Sequence, residues 1–214
     1  MNSKNVLITF LIFLMSYNID ANEKISIDLD EDNNHCENIT RDTLIERSFS
    51  SDFVGTFNGK RVEYTASLKE KIIYEKDNPD LPMASFFYTE YIAKNNNQRP
   101  VIFSFNGGPG SASLWLHMGV LGPKVIKVPS DATDDGSPPY KIIDNKLSPL
   151  SDADLVFIDP VGTGYSRAIG CHEGEEFWGV SEDPKIIAEF IRRWITDNKR
   201  WNSPRFILGE SYGG

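Results

Sequence analysis

Three short hydrophobic runs constrain the fold of this chain more than any other feature. They lie at residues 101–105, 154–159 and 205–210, and in each run the apolar residues follow one another almost without interruption. A strand with apolar residues on both faces is covered on both faces, which is typical of a parallel sheet. We therefore predict that these three runs are strands of a parallel sheet.

A helix is predicted between the second and third runs. In residues 181–201 the apolar side chains recur about every four residues, which places them on one stripe of a helix. Ser181 is the candidate N-cap, and acidic residues follow it near the positive end of the helix dipole. Because strand, helix and strand in that order form a parallel crossover, the predicted fold class is α/β. The residues of the apolar stripe are Ile186, Ile187, Phe190, Ile191, Trp194 and Ile195.

The residues before the parallel runs indicate antiparallel strands. Residues 53–57 and 61–68 are separated by the turn signal NGK and predict a β-hairpin. An aromatic-rich run at residues 84–93 predicts a further strand, antiparallel to its neighbours. The predicted domain, residues 51–214, therefore begins with antiparallel strands and leads into the parallel sheet.

The first fifty residues are predicted to lie outside this domain. Lys4, an apolar run at residues 6–15 and the small residue Ala21 form the pattern of a secretory signal peptide, so we predict export and cleavage after Ala21. The apolar run has about half of the roughly 20 residues that cross a bilayer, and no stable membrane span is expected after cleavage. Residues 22–50 are acidic and are predicted to form a flexible N-terminal segment.

Charge and composition exclude several classes of partner. The chain has a formal net charge of -9 at pH 7, which repels nucleic acid and anionic membrane surfaces. We expect no metal and no cofactor, because the sequence contains no metal-ligand cluster and no dinucleotide-binding fingerprint. Cys36 and Cys171 would form one disulfide across a long loop if they meet, and the sequence leaves this open, together with the oligomeric state.

The end of the sequence carries a candidate nucleophile. Residues 209–213, GESYG, have the G-x-S-x-G form of a nucleophile elbow and follow a predicted buried strand. Small residues on both sides of the serine allow the chain to make a sharp turn that exposes the hydroxyl. The alternative interpretation is a serine in a glycine-rich strand end. Ser211 is therefore the candidate nucleophile of an acyl-transfer site.

A second glycine-rich loop follows the first hydrophobic run directly. This loop, NGGPGSAS at residues 106–113, lets backbone N–H groups approach a substrate that a Cβ atom would keep away. The alternative interpretation is a tight turn before a helix. Because acyl transfer needs donors for an oxyanion as well as a nucleophile, the two loops together favour an acyl-transfer site.

Three motifs, FNGGPGSASLW, DLVFIDPVGTGYSR and FILGESYGG, together resemble those of the serine carboxypeptidases, which have the α/β-hydrolase fold. The resemblance covers residues 86–214, and its GSAS and WLHMGVLGP segments are more similar to the bacterial branch of the family. It implies that Ser211 attacks the scissile carbonyl of a peptide. It also implies that the N–H groups of Gly108 and Tyr212 hold the oxyanion.

The resemblance further implies a substrate with a free C-terminus. Asn106, the backbone of Gly107 and Glu210 match the positions that bind the C-terminal carboxylate of a peptide or protein. Family members commonly have a second carboxylate-binding Glu where this chain has Val120. Two carboxylates in contact share one proton more easily than both ionise, so we expect peptidase activity to favour acidic pH.

In this fold the Asp and His of the catalytic triad follow the serine along the chain. We therefore expect the chain to be the N-terminal portion of a longer exported serine carboxypeptidase, with an α/β-hydrolase fold truncated after the elbow and with no activity of its own. In such a fragment residues 205–210 form an exposed apolar edge. The chain's histidines precede the elbow and are expected to have ordinary core or surface roles; they are His35, His117 and His172.

Two other functions remain open at this stage. An acyltransferase on the same scaffold passes the acyl group to an alcohol instead of water. A non-catalytic truncated protein or pseudoenzyme keeps the elbow without its triad partners. The pairing of Asn106 with Glu210 favours a substrate that bears a carboxylate.

Overall fold

The computed structural model of the chain describes residue 41 and residues 44–94, 98–128 and 138–214. These residues belong to one compact unit, Asn34–Gly214. The predicted signal peptide, residues 1–21, lies outside the described residues, as does most of the predicted acidic segment with His35 and Cys36. The pairing of the two cysteines therefore stays open.

The described residues form one mixed sheet of seven strands and a separate two-stranded sheet. The strands are β1 (Ser48–Phe57), β2 (Lys60–Tyr74), β3 (Pro82–Ala93), β4 (Val101–Phe105), β5 (Lys124–Ile126), β6 (Ile142–Asp144), β7 (Asp154–Ile158), β8 (Arg167–Ala168) and β9 (Arg205–Gly209). The main sheet has the order β1-β2-β3-β7-β4-β9, and β8 pairs with β3 beside it. The small sheet pairs β5 with β6.

The first three strands form the antiparallel half of the main sheet. β1 and β2 pair as the predicted hairpin, and the turn residues Asn58 and Gly59 both have positive φ, 47° and 77°, as a tight hairpin turn with the twist of the strands requires. β3 pairs antiparallel with β2 and with β7, as predicted. The strands are longer than predicted, and β1 begins at Ser48, so the domain boundary drawn at residue 51 falls inside a strand.

The three hydrophobic runs form the parallel half of the sheet. β4 pairs parallel with β7 on one side and with β9 on the other, which confirms the predicted parallel strands and the α/β fold class. β7 is buried throughout, whereas β9 lies at the edge of the sheet formed by the described residues. Phe206 and Ile207 in β9 are 55% and 67% exposed, so the apolar edge expected at residues 205–210 is confirmed.

The helix α2 (Glu182–Asp197) connects β7 to β9 and packs its apolar stripe on the sheet. The ring of Phe190 contacts Phe86 at 5.2 Å between centroids, and the ring of Trp194 contacts Phe103 edge-on at 5.2 Å. These contacts hold α2 firmly against the core. The stripe residues Ile186, Ile187, Phe190, Trp194 and Ile195 are buried, and Ile191 is partly buried, as predicted.

The N-cap of α2 lies at the predicted residue, but the predicted capping hydrogen bond is absent. Ser181 occupies the N-cap position, but its side chain accepts no capping hydrogen bond. The backbone of Ser181 is helical, with φ -102° and ψ -31°, whereas a capping serine normally has an extended backbone. The acidic residues expected in the first turn, Glu182 and Asp183, are present there.

In its described residues, 106–128 and 138–153, the connection between β4 and β7 contains short elements only. The helix α1 (Leu114–Leu116) continues into a π-helical turn, His117–Leu121, which is followed by the two short strands of the small sheet and by a 3-10 turn at Pro149–Ser151. Within the residues that the structure describes, no helix is long and apolar enough to span a bilayer.

Candidate active site

The candidate nucleophile lies on a strained turn directly after β9. Ser211 is exposed and has φ +57°, a conformation that a residue with a side chain rarely adopts. The turn closes through backbone hydrogen bonds, from Gly213 N–H to the Glu210 carbonyl at 3.0 Å and from Gly214 N–H to the Ser211 carbonyl at 3.1 Å. This is the local geometry of a nucleophile elbow, in which a sharp turn presents the serine hydroxyl.

The glycine-rich loop after β4 lies against this turn. A Cβ atom on Gly107 would fall 2.6 Å from the Glu210 carbonyl oxygen and 2.8 Å from the Gly213 nitrogen. Glycine is therefore required at position 107 for the two loops to approach each other. Gly108, the predicted oxyanion donor of this loop, has φ +118°, which also favours glycine.

A partly buried carboxylate holds the far end of the same loop. The Asp159 Oδ1 atom, directly after β7, accepts a hydrogen bond from the Ser113 N–H at 2.8 Å. Burial raises the pKa of Asp159, and this hydrogen bond offsets part of the rise. The sequence did not predict a role for Asp159, because its carboxylate reaches the loop only when β7 and β4 are neighbours in the sheet.

The residues predicted to bind a substrate carboxylate are brought together. Asn106 is buried, and its Nδ2 donates to the Glu210 Oε2 atom at 3.2 Å. Its Oδ1 accepts from the Leu116 N–H at 3.1 Å, which fixes the orientation of the amide. Asn106, Gly107 and Glu210 therefore lie next to the candidate nucleophile.

The side chain that follows Ser211 makes a contact that the sequence did not suggest. The Tyr212 hydroxyl donates to the Asp183 Oδ2 atom at 3.0 Å. The same oxygen accepts from the Gly179 N–H at 3.4 Å. Sequence reasoning assigned Asp183 only to the helix dipole, because the contact joins residues that are far apart in the chain.

Ser211 lies in the lining of a cleft with a volume of ≈ 1010 Å³. Residues of both loops line it, and so do apolar residues that precede α2. Trp178 forms part of the wall, and its Nε1 donates to the Val161 carbonyl at 3.2 Å. Val180, which is 80% exposed, lies beside it in the wall. The cleft therefore combines an apolar wall with a few polar groups around the serine, as expected of a site for an organic ligand.

The two described histidines have the ordinary roles expected of them. His117 is largely enclosed, stacks on Phe157 at 4.5 Å and shares a hydrogen bond of 2.6 Å between its Nε2 and the Tyr91 hydroxyl. Burial lowers the pKa of His117 from 6.5 to about 4, so the ring is neutral at pH 7. His172 lies between two carboxylates, Glu75 at 2.9 Å and Glu176 at 2.8 Å. In the described part of the chain, neither histidine forms a hydrogen bond with Ser211.

Comparison with known protein families identifies one match. Residues 74–214 match the family described as serine carboxypeptidase. The match begins before residue 86, where the resemblance found in the sequence begins. It includes β3, the two loops and the elbow.

The relatives of this chain include proteins from a plant and from yeast. Serine carboxypeptidase-like 9 of Arabidopsis thaliana is 29% identical over 131 residues, which are 60% of this chain and 28% of that protein. Pheromone-processing carboxypeptidase KEX1 of Saccharomyces cerevisiae is 33% identical over 147 residues, 65% of this chain and 19% of that protein. The chain thus spans less than a third of the length of these curated relatives, and the assignment to a bacterial branch stays a prediction.

Proposed function

The chain belongs to the serine carboxypeptidase family, and we propose that it is the N-terminal portion of an exported enzyme that releases C-terminal residues from peptides through an acyl-enzyme. The observation that carries this proposal is the position of Ser211, on an exposed elbow with φ +57° that is packed against the glycine-rich loop. The chain matches only 28% of the length of the plant relative, which supports a longer enzyme.

In the proposed reaction the Oγ atom of Ser211 attacks the carbonyl carbon of the scissile bond. Its proton passes to a base outside the described residues, and that base then protonates the leaving amine. The negative charge that develops on the carbonyl oxygen is held by the N–H groups of Gly108 and Tyr212. Removal of one such donor typically costs about 3 to 4 kcal/mol of barrier.

The proposed substrate is a peptide or protein with a free C-terminus. The Asn106 Nδ2 and the Gly107 backbone would bind the terminal carboxylate, and Glu210 would share one proton with it. The Asn106–Glu210 hydrogen bond of 3.2 Å supports this assignment, because it aligns both side chains beside the nucleophile before substrate arrives. It favours a peptidase over an acyltransferase.

The test is a fluorophosphonate label applied to the exported proteins of the source organism, together with a peptide-release assay on the purified labelled species. We expect the modified peptide to contain Ser211 and the labelled species to be heavier than this chain. Ser211→Ala should abolish labelling and lower amino-acid release by about a thousandfold or more. Ser181→Ala is the matched control, because Ser181 follows Val180 of the cleft wall in the chain and its side chain makes no capping hydrogen bond.

Three outcomes would contradict the proposal. Labelling at a different serine would exclude Ser211 as the nucleophile. Acyl transfer to an alcohol without release of amino acids from peptides would identify an acyltransferase. A folded protein that neither reacts with the fluorophosphonate nor hydrolyses peptides would support the non-catalytic alternative.

A further inference from the structure

We propose that Asp183 is a positioning residue for acyl transfer: it holds the side chain of Tyr212 and thereby the turn that carries the nucleophile and one oxyanion donor. The inference rests on the function proposed above and extends it to a residue outside the family motifs. It starts from the hydrogen bond that joins the elbow to the helix α2.

Asp183 is well suited to hold another group in place. It lies in the first turn of α2, whose next turn buries Ile186 and Ile187 in the core. One carboxylate oxygen, Oδ2, accepts from the Tyr212 hydroxyl at 3.0 Å and from the Gly179 N–H at 3.4 Å. The carboxylate is thus fixed by a packed helix on one side and by the cleft wall on the other.

The elbow needs such a restraint because its backbone is strained. The positive φ of Ser211 is sparsely populated and persists only when surrounding contacts hold it. Two of the turn's hydrogen bonds stay within the turn itself and do not fix it relative to the rest of the molecule. An external restraint is therefore required on each side of Ser211.

The two neighbours of Ser211 supply these restraints on opposite sides. Glu210, before the serine, is tied to β4 and the glycine-rich loop, through its N–H to Phe105 and through its carboxylate to Asn106. Tyr212, after the serine, is tied to α2 through Asp183. Loss of the second tie leaves the Tyr212 N–H, the proposed oxyanion donor, held only by the backbone packing of the turn against the glycine-rich loop.

Loss of the Asp183–Tyr212 hydrogen bond should lower the turnover rate more than it weakens substrate binding. Misplacement of reacting groups by about 1 Å can lower a rate about a hundredfold. The proposed carboxylate-binding groups, Asn106 and Glu210, do not depend on Asp183, so ground-state binding should be preserved. A purely structural role of Asp183, as a helix-dipole partner, would instead lower stability and leave the kinetic constants of the folded enzyme unchanged.

The experiment measures kcat and KM for release of the C-terminal residue of a short peptide by the full-length enzyme. Asp183→Ala and Tyr212→Phe each remove the hydrogen bond, and each should lower kcat about tenfold with KM within about twofold. Asp183→Asn keeps an acceptor for the Tyr212 hydroxyl and should recover most of the loss. The double variant Asp183→Ala/Tyr212→Phe should be no slower than either single variant, because both act through one contact.

Glu182→Gln is the matched control, since Glu182 lies in the same turn of α2 and its carboxylate faces Lys185 at 4.0 Å. It should leave kcat unchanged. Full kcat in Asp183→Ala, or additive losses in the double variant, would overturn the inference while the wild-type enzyme still labels at Ser211. If wild type does not label or Ser211→Ala keeps its activity, the proposed function itself fails.

Discussion

Gly107 is a residue of the candidate active site at which no side chain fits without displacing the backbone. Its Cα faces the elbow backbone, and a methyl group there would meet the Glu210 carbonyl oxygen at 2.6 Å and the Gly213 nitrogen at 2.8 Å. Both neighbours are backbone atoms, which cannot rotate away as a side chain can. The distance between the glycine-rich loop and the turn that carries Ser211 therefore depends on the absence of a side chain at this position.

We predict that Gly107→Ala forces the two loops apart. Overpacking of this kind typically costs about 1 to 3 kcal/mol, and the displacement should also lower the rate of fluorophosphonate labelling at least about tenfold. Labelling kinetics and thermal unfolding of the intact protein measure the two effects. Gly119→Ala is the control, because a Cβ atom there has no neighbour within 4 Å. Equal behaviour of the two variants would contradict the prediction.

Among the elements, the 3-10 turn Gly174–Phe177 is joined to the end of β2 by an ionisable contact. His172 precedes the turn and hydrogen-bonds both to Glu75, which follows β2, and to Glu176, which lies within the turn. Partial burial lowers the pKa of His172, but the hydrogen bonds and charges of the two carboxylates outweigh it, so the net shift is upward from 6.5. The turn precedes Trp178 in the cleft wall.

This contact predicts a pH dependence of stability with a definite sign. Because the pKa of His172 is higher in the folded state, its stabilisation is fully present below about pH 6.5 and is lost as pH rises through the folded-state pKa. His172→Gln should remove this dependence, with an effect below about 1 kcal/mol because the pair is partly exposed. Tm measured across neutral pH tests this, with Lys185→Gln as the control. An unchanged pH profile in His172→Gln would contradict it.

For the molecule as a whole, activity at acidic pH has to be separated from stability at acidic pH. The folded state holds His117 neutral, with its pKa lowered to about 4, whereas an unfolded histidine titrates at 6.5. At this residue the unfolded state therefore binds more protons between these values, and the contribution of His117 to stability falls as pH falls from 6.5 towards 4. Any increase in activity at acidic pH must therefore be separated from this loss of stability.

We predict that peptidase activity of the full-length enzyme increases as pH falls below neutrality, because Glu210 and the substrate carboxylate share one proton. Glu210→Gln should flatten the profile, since an amide needs no shared proton. The measurement is kcat/KM across pH, corrected for the folded fraction at each pH, with Glu175→Gln, an exposed acid outside the loops, as the control. An optimum above about pH 8, or an unchanged profile in Glu210→Gln, would contradict the shared proton.

The sequence by itself determined the α/β class, the parallel runs, the hairpin and the stripe of α2, because periodicity and turn residues report local burial and backbone geometry. Its short motifs also predicted Ser211, Asn106 and Glu210 as candidate site residues, and these roles stay predictions. The tertiary structure alone decided that Asp183 meets Tyr212, that Asp159 reaches Ser113, and that Ser181 caps nothing. The first two contacts join residues distant in the chain, and they exist only once the strand order brings β7, β4, β9 and α2 together.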